Sequence, residues 1–500
     1  MTLVGRLFKR FGYVKKRSDH GQSGYAAALI SRLTNDWLTT SRSADEEIRV
    51  GLQKLRARSR NLAMNNDYAR KYLKMVVSNV VGSNGITFQS RVVGQDGNPD
   101  AIANGIIEQA WRQWGKKGVT TTDGQRSWRD EQRLFIETVA RDGEVIVRMV
   151  RGFENPFSFA LQMMEADLLD EEFNRELLNG NRIRMSIEYD VWKRPVAYHL
   201  LTVHPGESSY IFAGTMRDRV PANEIIHAYI RERPGQSRGV PWMHSAMTRL
   251  NMLGGYEEAE LVAARVSAAK MGFFVEKEGA EYAGDAKDGQ GNIITESEPG
   301  SWEKLPKGVE IQQWDPQHPA GNFMPFMKTT LRGIASGLNV AYNSLASDLE
   351  GVNFSSIRSG VLEERDNWKV LQGWMVDNYC VPVFESWLDM FLLQEQTQLS
   401  VARFEKLNKP KFQGRGWAWV DPLKDQKANS EAVQNLTKTR GAIVAEQGLD
   451  LEEVFEQLAA EKALRKKHGL ELIAVSQNGR AHGPEPEEED EERQWLKNAV

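Results

Sequence analysis

The stretch RPGQSRGVPW, residues 233–242, separates two kinds of sequence pattern. Before it, NEIIHAY (223–229) alternates apolar and polar residues in the manner of a β-strand. After it, apolar and small residues recur at helical spacing over 243–272. Because prolines and glycines interrupt regular structure, the stretch predicts a boundary between a mixed α/β region and a helical region.

On the N-terminal side of this boundary, helical and strand patterns alternate with turn residues. The expected helices lie at 42–80, with a polar turn inside that range, and at 101–117 and 127–141. The expected strands lie at 85–90, 144–150, 157–163, 183–192, 196–203 and 225–230. These short strands predict a mixed α/β or antiparallel unit.

Helical patterns dominate the C-terminal side. Helices are expected over 324–340, over 357–396 with a kink at Pro382, and over much of 415–475. Residues 276–320, between two helical segments, are rich in Gly, Pro and Asp, which is typical of a functional loop or an insertion. The predicted fold class is therefore mixed α+β and rich in helix.

The composition is that of a globular protein, with 500 residues, 41% hydrophobic and 26% charged. The net charge of −4 argues against a surface that grips nucleic acid throughout. A single cysteine, Cys380, excludes an intramolecular disulfide and a cysteine-rich zinc site, and indicates a reducing compartment. No apolar run has the length of a membrane span.

The two ends of the chain carry opposite charge. Residues 1–20 hold six basic side chains against one acidic, and residues 481–500 hold seven acidic against two basic. The acidic end is expected to be disordered, because so many carboxylates cannot bury a core. Apolar residues near the N-terminus fit a short docked helix or an arm on a neighbour, or alternatively a helix on a membrane surface.

A search for catalytic motifs finds none. The segment Gly115–Gly118 lacks the features of a nucleotide-binding P-loop, and neither a GxSxG nor an HExxH motif occurs. His199 and His204 are predicted to be structural or surface residues, because no third metal ligand stands near them in the sequence. His227 is predicted to be a satisfied core histidine, and Cys380 a small core hydrophobe. We therefore expect no catalytic residue, no metal and no cofactor.

Tryptophan is abundant, with fourteen in the chain. Several stand in polar surroundings: Trp192, Trp242, Trp302, Trp314, Trp417 and Trp495. Aromatic residues near a surface indicate large interfaces, although each of these can instead pack on a local core.

The boundary stretch is also where the sequence resembles a known family, the lambda-type portal proteins of tailed bacteriophages. The resemblance covers about residues 60 to 470, with these matches: NEIIH (223–227), RPGQSRGVPW (233–242), YEEAELVAAR (256–265), LRGIASGLNVAY (331–342), DLEGVNFSSIR (348–358), WVDPLK (419–424) and GLD (448–450). Phe354 stands where the family more commonly has Tyr. Each match is weak alone, and together they are specific.

The resemblance implies a portal ring of about twelve subunits at one vertex of a capsid. Double-stranded DNA is packaged into the procapsid through the channel and is later ejected through it. The implied partners are the terminase large subunit, the major capsid and scaffold proteins, and head–tail connector proteins, without a membrane. The implied location is the virion, after assembly in the host cytoplasm.

The resemblance also implies a division of the chain. The expected parts are an N-terminal basic arm (1–40), an α/β wing (41–242), a stem helix (243–275), an irregular clip (276–322), a second stem helix (323–340), a tunnel loop (341–356), a long kinked wing helix (357–400), a helical crown (401–475) and a disordered acidic tail (476–500).

Three sets of residues are expected to matter. The channel residues of the tunnel loop are expected to be Asp348, Glu350, Asn353, Ser355 and Arg358. The small or apolar residues that would let neighbouring stems pack closely are Ala259, Ala263 and Val266. The family signature comprises Gln236, Arg238, Gly239, Pro241, Asn353, Ser355, Ser356, Trp419, Asp421 and Pro422. The loop carboxylates either face the bore or merely shape the turns of the loop, and the sequence leaves both possibilities open.

Two other functions are weighed against the portal. A terminase-like packaging ATPase is disfavoured by the absence of a nucleotide motif. A head–tail adaptor is disfavoured by the length and by the α/β region, since adaptors tend to be small.

Overall fold

The computed structural model describes Arg32 and residues 36–207, 216–268, 272–276, 309–313, 323–350, 354–394, 397–417, 422–449 and 451–470. The expected basic arm and acidic tail therefore lie outside the described residues, except for Arg32 and residues 36–40. Most of the clip also lies outside them.

Helices account for most of the regular structure. Their bounds are α1 (Ala44–Asn65), α2 (Asp67–Val80), α3 (Ala101–Trp114), α4 (Trp128–Asp142), α5 (Met247–Ala268), α6 (Phe323–Gly337), α7 (Tyr342–Ala346), α8 (Phe354–Met375), α9 (Val381–Leu392), α10 (Phe404–Leu407), α11 (Pro422–Gln434), α12 (Arg440–Glu446) and α13 (Leu451–Lys467). Short 3-10 turns occur at Ala166–Leu168, Ala222–Glu224 and Val401–Arg403, and a π-helical turn at Val376–Cys380.

In the described part of the chain, the strands form four antiparallel sheets. Their bounds are β1 (Thr87–Ser90), β2 (Glu144–Arg151), β3 (Phe159–Met164), β4 (Arg175–Glu176), β5 (Arg182–Arg184), β6 (Ile187–Tyr189), β7 (Pro195–Leu201), β8 (Arg217–Pro221), β9 (Ile225–Tyr229), β10 (Gly272–Glu276), β11 (Val309–Gln313) and β12 (Pro410–Gln413). The sheet orders are β3-β2-β9, β4-β5-β6-β7-β8, β1-β12 and β10-β11. The antiparallel alternative of the sequence prediction is thus confirmed.

Local capping explains where several helices begin and end. Asn66 has extended backbone angles, and its side chain accepts a hydrogen bond from the Ala69 amide, so it ends α1 and caps α2. Ser127 and Asp130 form a reciprocal capping box at the start of α4. Gly143 ends α4 with φ of 91°, a left-handed conformation that favours glycine.

The main core is aromatic and joins distant parts of the chain. Trp111 of α3 packs against Trp114, Trp128 of α4, and Phe384 and Trp387 of α9, with ring centroids 4.7 to 5.5 Å apart. The apolar residues of the helical pattern expected over 357–396 supply much of this core. They pack the C-terminal helices onto the N-terminal region.

Pro382 lies in the first turn of α9, and the preceding π-helical turn interrupts the long helix at the place where a kink is expected. Cys380 is buried at this interruption, and burial raises the pKa of its thiol, which fits the predicted core hydrophobe.

Two expectations about elements are wrong. The helix expected over 243–272, and extended to 275 as a stem helix, ends at Ala268; Gly272–Glu276 instead forms β10, antiparallel to β11, and the aromatic and β-branched residue types of this stretch favour a strand. The expected strand 183–192 is two strands, with Met185 and Ser186 at positive φ between them. Residues 341–356, expected to be the tunnel loop, contain α7 and the first turn of α8.

Candidate signature site and channel segment

The signature stretch folds as a turn held by its own glutamine. The Gln236 side chain accepts hydrogen bonds from the amides of Glu232 and Arg233 at 2.9 and 3.2 Å. Its amide nitrogen donates to the Arg238 carbonyl at 2.8 Å. The Tyr229 hydroxyl donates to the Gln236 carbonyl at 2.9 Å. Gln236 thus fixes the path of the chain that delivers Arg238.

Arg238 is fully buried and binds one carboxylate, Glu144, at the start of β2. Its Nε lies 2.9 and 3.0 Å from the two Glu144 oxygens, and its Nη2 lies 2.6 Å from Oε1. The remaining donors reach the carbonyls of Ala166, Leu169 and Met185. A guanidinium has five donors in a planar fork. This single side chain therefore links β2 of the three-stranded sheet to two places: the segment that leads into the five-stranded sheet, and the turn between β5 and β6 within it.

The Glu144 carboxylate accepts hydrogen bonds from two further side chains. Arg56 of α1, itself 1% exposed, donates to Oε1 at 2.8 Å, and His227 of β9 donates from Nε2 to Oε2 at 2.9 Å. Burial opposes ionisation of Glu144, but the charge of Arg238, the hydrogen bond from His227 and the charge of Arg56 outweigh it and hold the pKa of the carboxyl well below its usual range. Burial lowers the pKa of His227, against the opposing effect of Glu144. The prediction that His227 is a satisfied core histidine fits this contact. We call Arg56, Glu144, His227 and Arg238 the buried ion network.

Gly239 and Pro241 belong to the same junction. The Gly239 amide donates to Glu144 Oε2 at 2.9 Å. A Cβ at Gly239 would clash with the Gly143 carbonyl oxygen, so the two backbones approach too closely for any side chain. Pro241 is buried next to this approach.

The other signature residues are less informative. Asn353, Trp419 and Asp421 lie outside the described residues, as do the side chains of Ser355 and Ser356, although both serines belong to the first turn of α8. Pro422 is exposed at the start of α11.

Residues 341–350, which we call the channel segment, connect α6 with the start of α8. The structure brings the predicted Asp348 and Glu350 together at one lysine of α6. Lys328 Nζ lies 3.0 Å from Glu350 Oε2 and 3.4 Å from Asp348 Oδ2. The Asp348 carboxylate also accepts bonds from the Tyr342 hydroxyl at 2.7 Å and from the Glu350 amide at 2.9 Å. Asp348 therefore shapes the turn at the end of this segment.

Arg358, predicted to belong with them, has a different partner. Its guanidinium lies 3.0 Å from Asp425 of α11, and this pair joins α8 to the C-terminal helices.

Trp192 of the β6–β7 turn is 80% exposed, whereas Trp242 and Trp417 are half-buried. Trp302, Trp314 and Trp495 lie outside the described residues.

The predicted stem contacts lie on α5. Ala259 is exposed and Ala263 is half-buried, while the side chain of Val266 lies outside the described residues. One face of α5 packs on α6, where the Tyr256 ring lies 4.9 Å from that of Phe326. The Tyr68 hydroxyl of α2 donates to Glu257 at 3.0 Å.

Sequence reasoning missed one cluster of metal-ligand type. Glu165 and Asp167 lie beside His204, with one ligand atom of each residue within 4.8 Å of the others. His204 therefore has two carboxylates beside it in space that the sequence did not indicate, because β3 ends next to it. However, Asp167 already binds Arg60 at 2.6 Å and Arg56 at 3.2 Å, so a cation would compete with two guanidinium groups. His199 instead contacts Glu188 at 3.3 Å.

Within the described part of the chain, no helix combines the length and the apolar character that crossing a membrane requires.

Comparison with known proteins covers nearly the whole chain. The sequence model of the family described as phage portal protein, lambda family, matches residues 31–372. A probable portal protein of Halomonas phage phiHAP-1 is 37% identical over 479 residues, which cover 94% of this chain and 92% of that protein. Portal protein B of Escherichia phage lambda is 21% identical over 524 residues, covering 94% of each.

Solved structures give weaker likenesses. The chain is similar to one in the neck of an empty GTA particle computed with C6 symmetry, with a TM-score of 0.43, 12% identity, and coverage of 82% of this chain and 96% of that one. A chain in the neck of a native GTA particle computed with C12 symmetry has a TM-score of 0.43, 11% identity, and coverage of 80% and 93%.

Proposed function

The chain belongs to the lambda family of phage portal proteins, and from this premise we propose that it is one subunit of a ring of about twelve that conducts double-stranded DNA. The single observation that carries the proposal is the 37% identity to a probable portal protein over almost the full length of both chains. DNA enters the procapsid and leaves the virion through the ring. The proposed role is structural and not catalytic.

The exposed surface of α5 supports a contact between subunits. Apolar and charged residues are mixed on the exposed side of this helix. Leu261 and Val262 are 66% and 50% exposed in the single chain, and Met252 is 69% exposed. A neighbouring copy in a closed head-to-tail ring would cover them, and the small side chains of Ala259 and Ala263 would allow close approach.

The charge balance suits a channel through which DNA slides. Each phosphate neutralised by Lys or Arg strengthens binding to DNA, and a strongly basic wall would slow translocation. The chain has 64 basic and 68 acidic residues. In the channel segment, the base of the loop pairs Lys328 with two carboxylates, so it offers no excess of positive charge.

The expected division of the chain remains part of the proposal. Helices α5 and α6 would form the stem, the channel segment would line the bore, and α11 to α13 would form the crown. The clip, residues 276–322, would receive the terminase large subunit during packaging and head–tail connector proteins afterwards. The wing would contact the major capsid and scaffold proteins. Assembly would take place in the host cytoplasm, and the ring would remain at the portal vertex of the virion.

Native mass spectrometry and negative-stain imaging of the purified protein test this function. The expected result is a ring of roughly twelve subunits with a central hole and no ATPase activity. A monomer that hydrolyses ATP in the presence of DNA would favour the packaging ATPase and overturn the proposal. A monomer without that activity would favour the head–tail adaptor.

A further inference from the structure

The end of the channel segment is held by one cation of the second stem helix. Lys328 is only partly exposed, with 30% of its side chain accessible, and Asp348 is 21% exposed. Glu350 is 75% exposed and reaches Lys328 from the solvent side. One ammonium group therefore contacts two carboxylates that stand two residues apart in the same turn.

Asp348 connects this lysine to the rest of the segment. Its Oδ2 accepts from the Tyr342 hydroxyl at the start of α7, and its Oδ1 accepts from the Glu350 amide. The hydrogen bond from Tyr342 comes first among the contacts that lower the pKa of Asp348, and Lys328 adds to them. The hydrogen bond to Glu350 is the leading cause of the raised pKa of Lys328. Both shifts favour the charged forms of Asp348 and Lys328, so the contact between these two side chains is an ion pair.

Other contacts hold the segment as far as Ser347. Ser344 donates to Glu364 of α8 at 2.7 Å, and Lys71 of α2 donates to Ser347. The Arg332 guanidinium lies 5.4 Å from the Tyr342 ring centroid. Lys328 is the α6 side chain that contacts both Asp348 and Glu350 in the described part of the chain.

We infer that Lys328 is a positioning residue that clamps the end of the channel segment to the second stem helix and so sets how far the segment extends from it. The inference rests on the proposed function, because only in a portal ring does this distance set the width of the bore. Without Lys328, two carboxylates remain close together without their shared cation and repel each other. The end of the segment then swings away from α6.

Two measurements test the clamp. A spin label on Leu349→Cys, at a position that is 67% exposed, reports the mobility of the segment by electron paramagnetic resonance. The buried native Cys380, whose thiol pKa is raised by burial, stays unlabelled. The label should become more mobile with Lys328→Ala and stay as in the parent with Lys328→Arg. Lys369→Ala is the matched control, because this exposed lysine forms its ion pair with Asp366 on its own helix.

The second measurement counts DNA-filled heads in a packaging reaction. Rings of Lys328→Glu should assemble but lose DNA-filled heads, and the double variant Lys328→Glu with Glu350→Lys should recover them. If Lys328 acted only by packing and not through its charge, exchanging the charges would not restore packaging. Unchanged label mobility in Lys328→Ala, or failure of the double variant to recover packaging, overturns the clamp. If the parent forms no ring, the proposed function fails, while label mobility in the single chain still decides the clamp.

Discussion

The buried ion network and the Lys328 cluster use the same kinds of side chain in opposite surroundings. Arg238 and Glu144 are fully buried, with donors and acceptors matched on nearly every side. Lys328, Asp348 and Glu350 are partly or largely exposed. Breaking a buried pair leaves an uncompensated charge in the interior, whereas an exposed pair is hydrated and contributes little to stability.

This difference indicates a division of labour. The buried ion network connects α1, β2, β9 and the signature stretch, so its loss should affect the folding of every subunit. The exposed cluster joins one helix to one short segment, so its loss should leave the subunit folded and change only the position of that segment. The signature residues Gln236, Arg238, Gly239 and Pro241 therefore lie at a buried junction between the three-stranded and five-stranded sheets.

The largest loss of stability is expected from Arg238→Ala. Glu144 keeps Arg56 and His227 but loses its bidentate partner, and three backbone carbonyls lose their donor. Removal of one member of a buried ion pair costs about 3–5 kcal/mol. The free energy of unfolding, measured in urea, checks this value.

Arg148→Ala is the matched control for Arg238→Ala. Arg148 lies on the same strand as Glu144 and pairs with Glu224 at 2.9 Å, but their side chains are 39% and 31% exposed. The free energy of unfolding of Arg148→Ala should fall by only about 0–1 kcal/mol. Equal losses in the two variants would show that burial does not distinguish the networks.

Gly239→Ala should have the next largest effect. The new Cβ would clash with the Gly143 carbonyl oxygen and lie 2.6 Å from Tyr229 Cβ, so two backbone segments must separate. Overpacking of this kind costs about 1–3 kcal/mol. Gly255→Ala in α5 is the control, because a Cβ added there would meet no neighbouring group within 4 Å. Thermal unfolding should show destabilisation in the first and a small gain in the second; a tolerated Gly239→Ala would contradict the close approach.

Acid should weaken the buried ion network progressively. The folded-state pKa of Glu144 is lowered, so its contribution is complete above its ordinary value of 4.5 and is lost as the pH falls through the folded value. The pKa of His227 is also lowered, so protonation of the unfolded chain begins to oppose folding below its ordinary value of 6.5. Stability should therefore decline from about pH 6.5 downwards, and more steeply below about pH 4.5.

Glu144→Gln tests the pH dependence directly. The variant should be less stable at neutral pH, yet its stability should fall less steeply below about pH 4.5 than that of the parent. Glu224→Gln, which removes a partly exposed carboxylate, should keep the parental slope. The same slope in Glu144→Gln and the parent would exclude Glu144 as the source of the acid sensitivity.

Deletion of residues 345–354 should act on DNA packaging more than on ring assembly, although it also removes the buried Leu345 and so costs some stability. The deletion removes both loop carboxylates but none of the residues of the buried ion network. Rings should still assemble, whereas packaging or retention of DNA should be impaired. Loss of assembly itself would show that the segment is architectural.

The strands and helices that were predicted correctly have strong local patterns. β2 is a nearly continuous apolar run, and β9 alternates apolar and polar residues. The capping box of α4 is formed by residues only three apart in the sequence. β8 and β12 escaped prediction because Arg217, Asp218 and Lys411 interrupt their apolar character, and their pairing comes from distant strands. β4 has only two residues, both exposed.

The signature residues were found by resemblance, but their contacts could not be. Arg238 and Glu144 are 94 residues apart, and no local pattern joins them. One signal was available, because Glu144 begins the apolar run of β2, and a buried carboxylate requires a cationic partner. The Lys328 cluster had no such signal, since charged residues on α6 and in a loop are ordinarily solvated.

A cryo-electron microscopy reconstruction of the assembled protein tests the central claim most directly. We predict a closed ring in which α5 contacts the neighbouring subunit, the channel segment lines the narrowest part of the bore, and Lys328 contacts Asp348 and Glu350 within one subunit. The buried ion network should lie inside each wing, away from the bore. A chain that forms no ring, or a ring whose bore is lined by the signature stretch in place of the channel segment, would contradict the account.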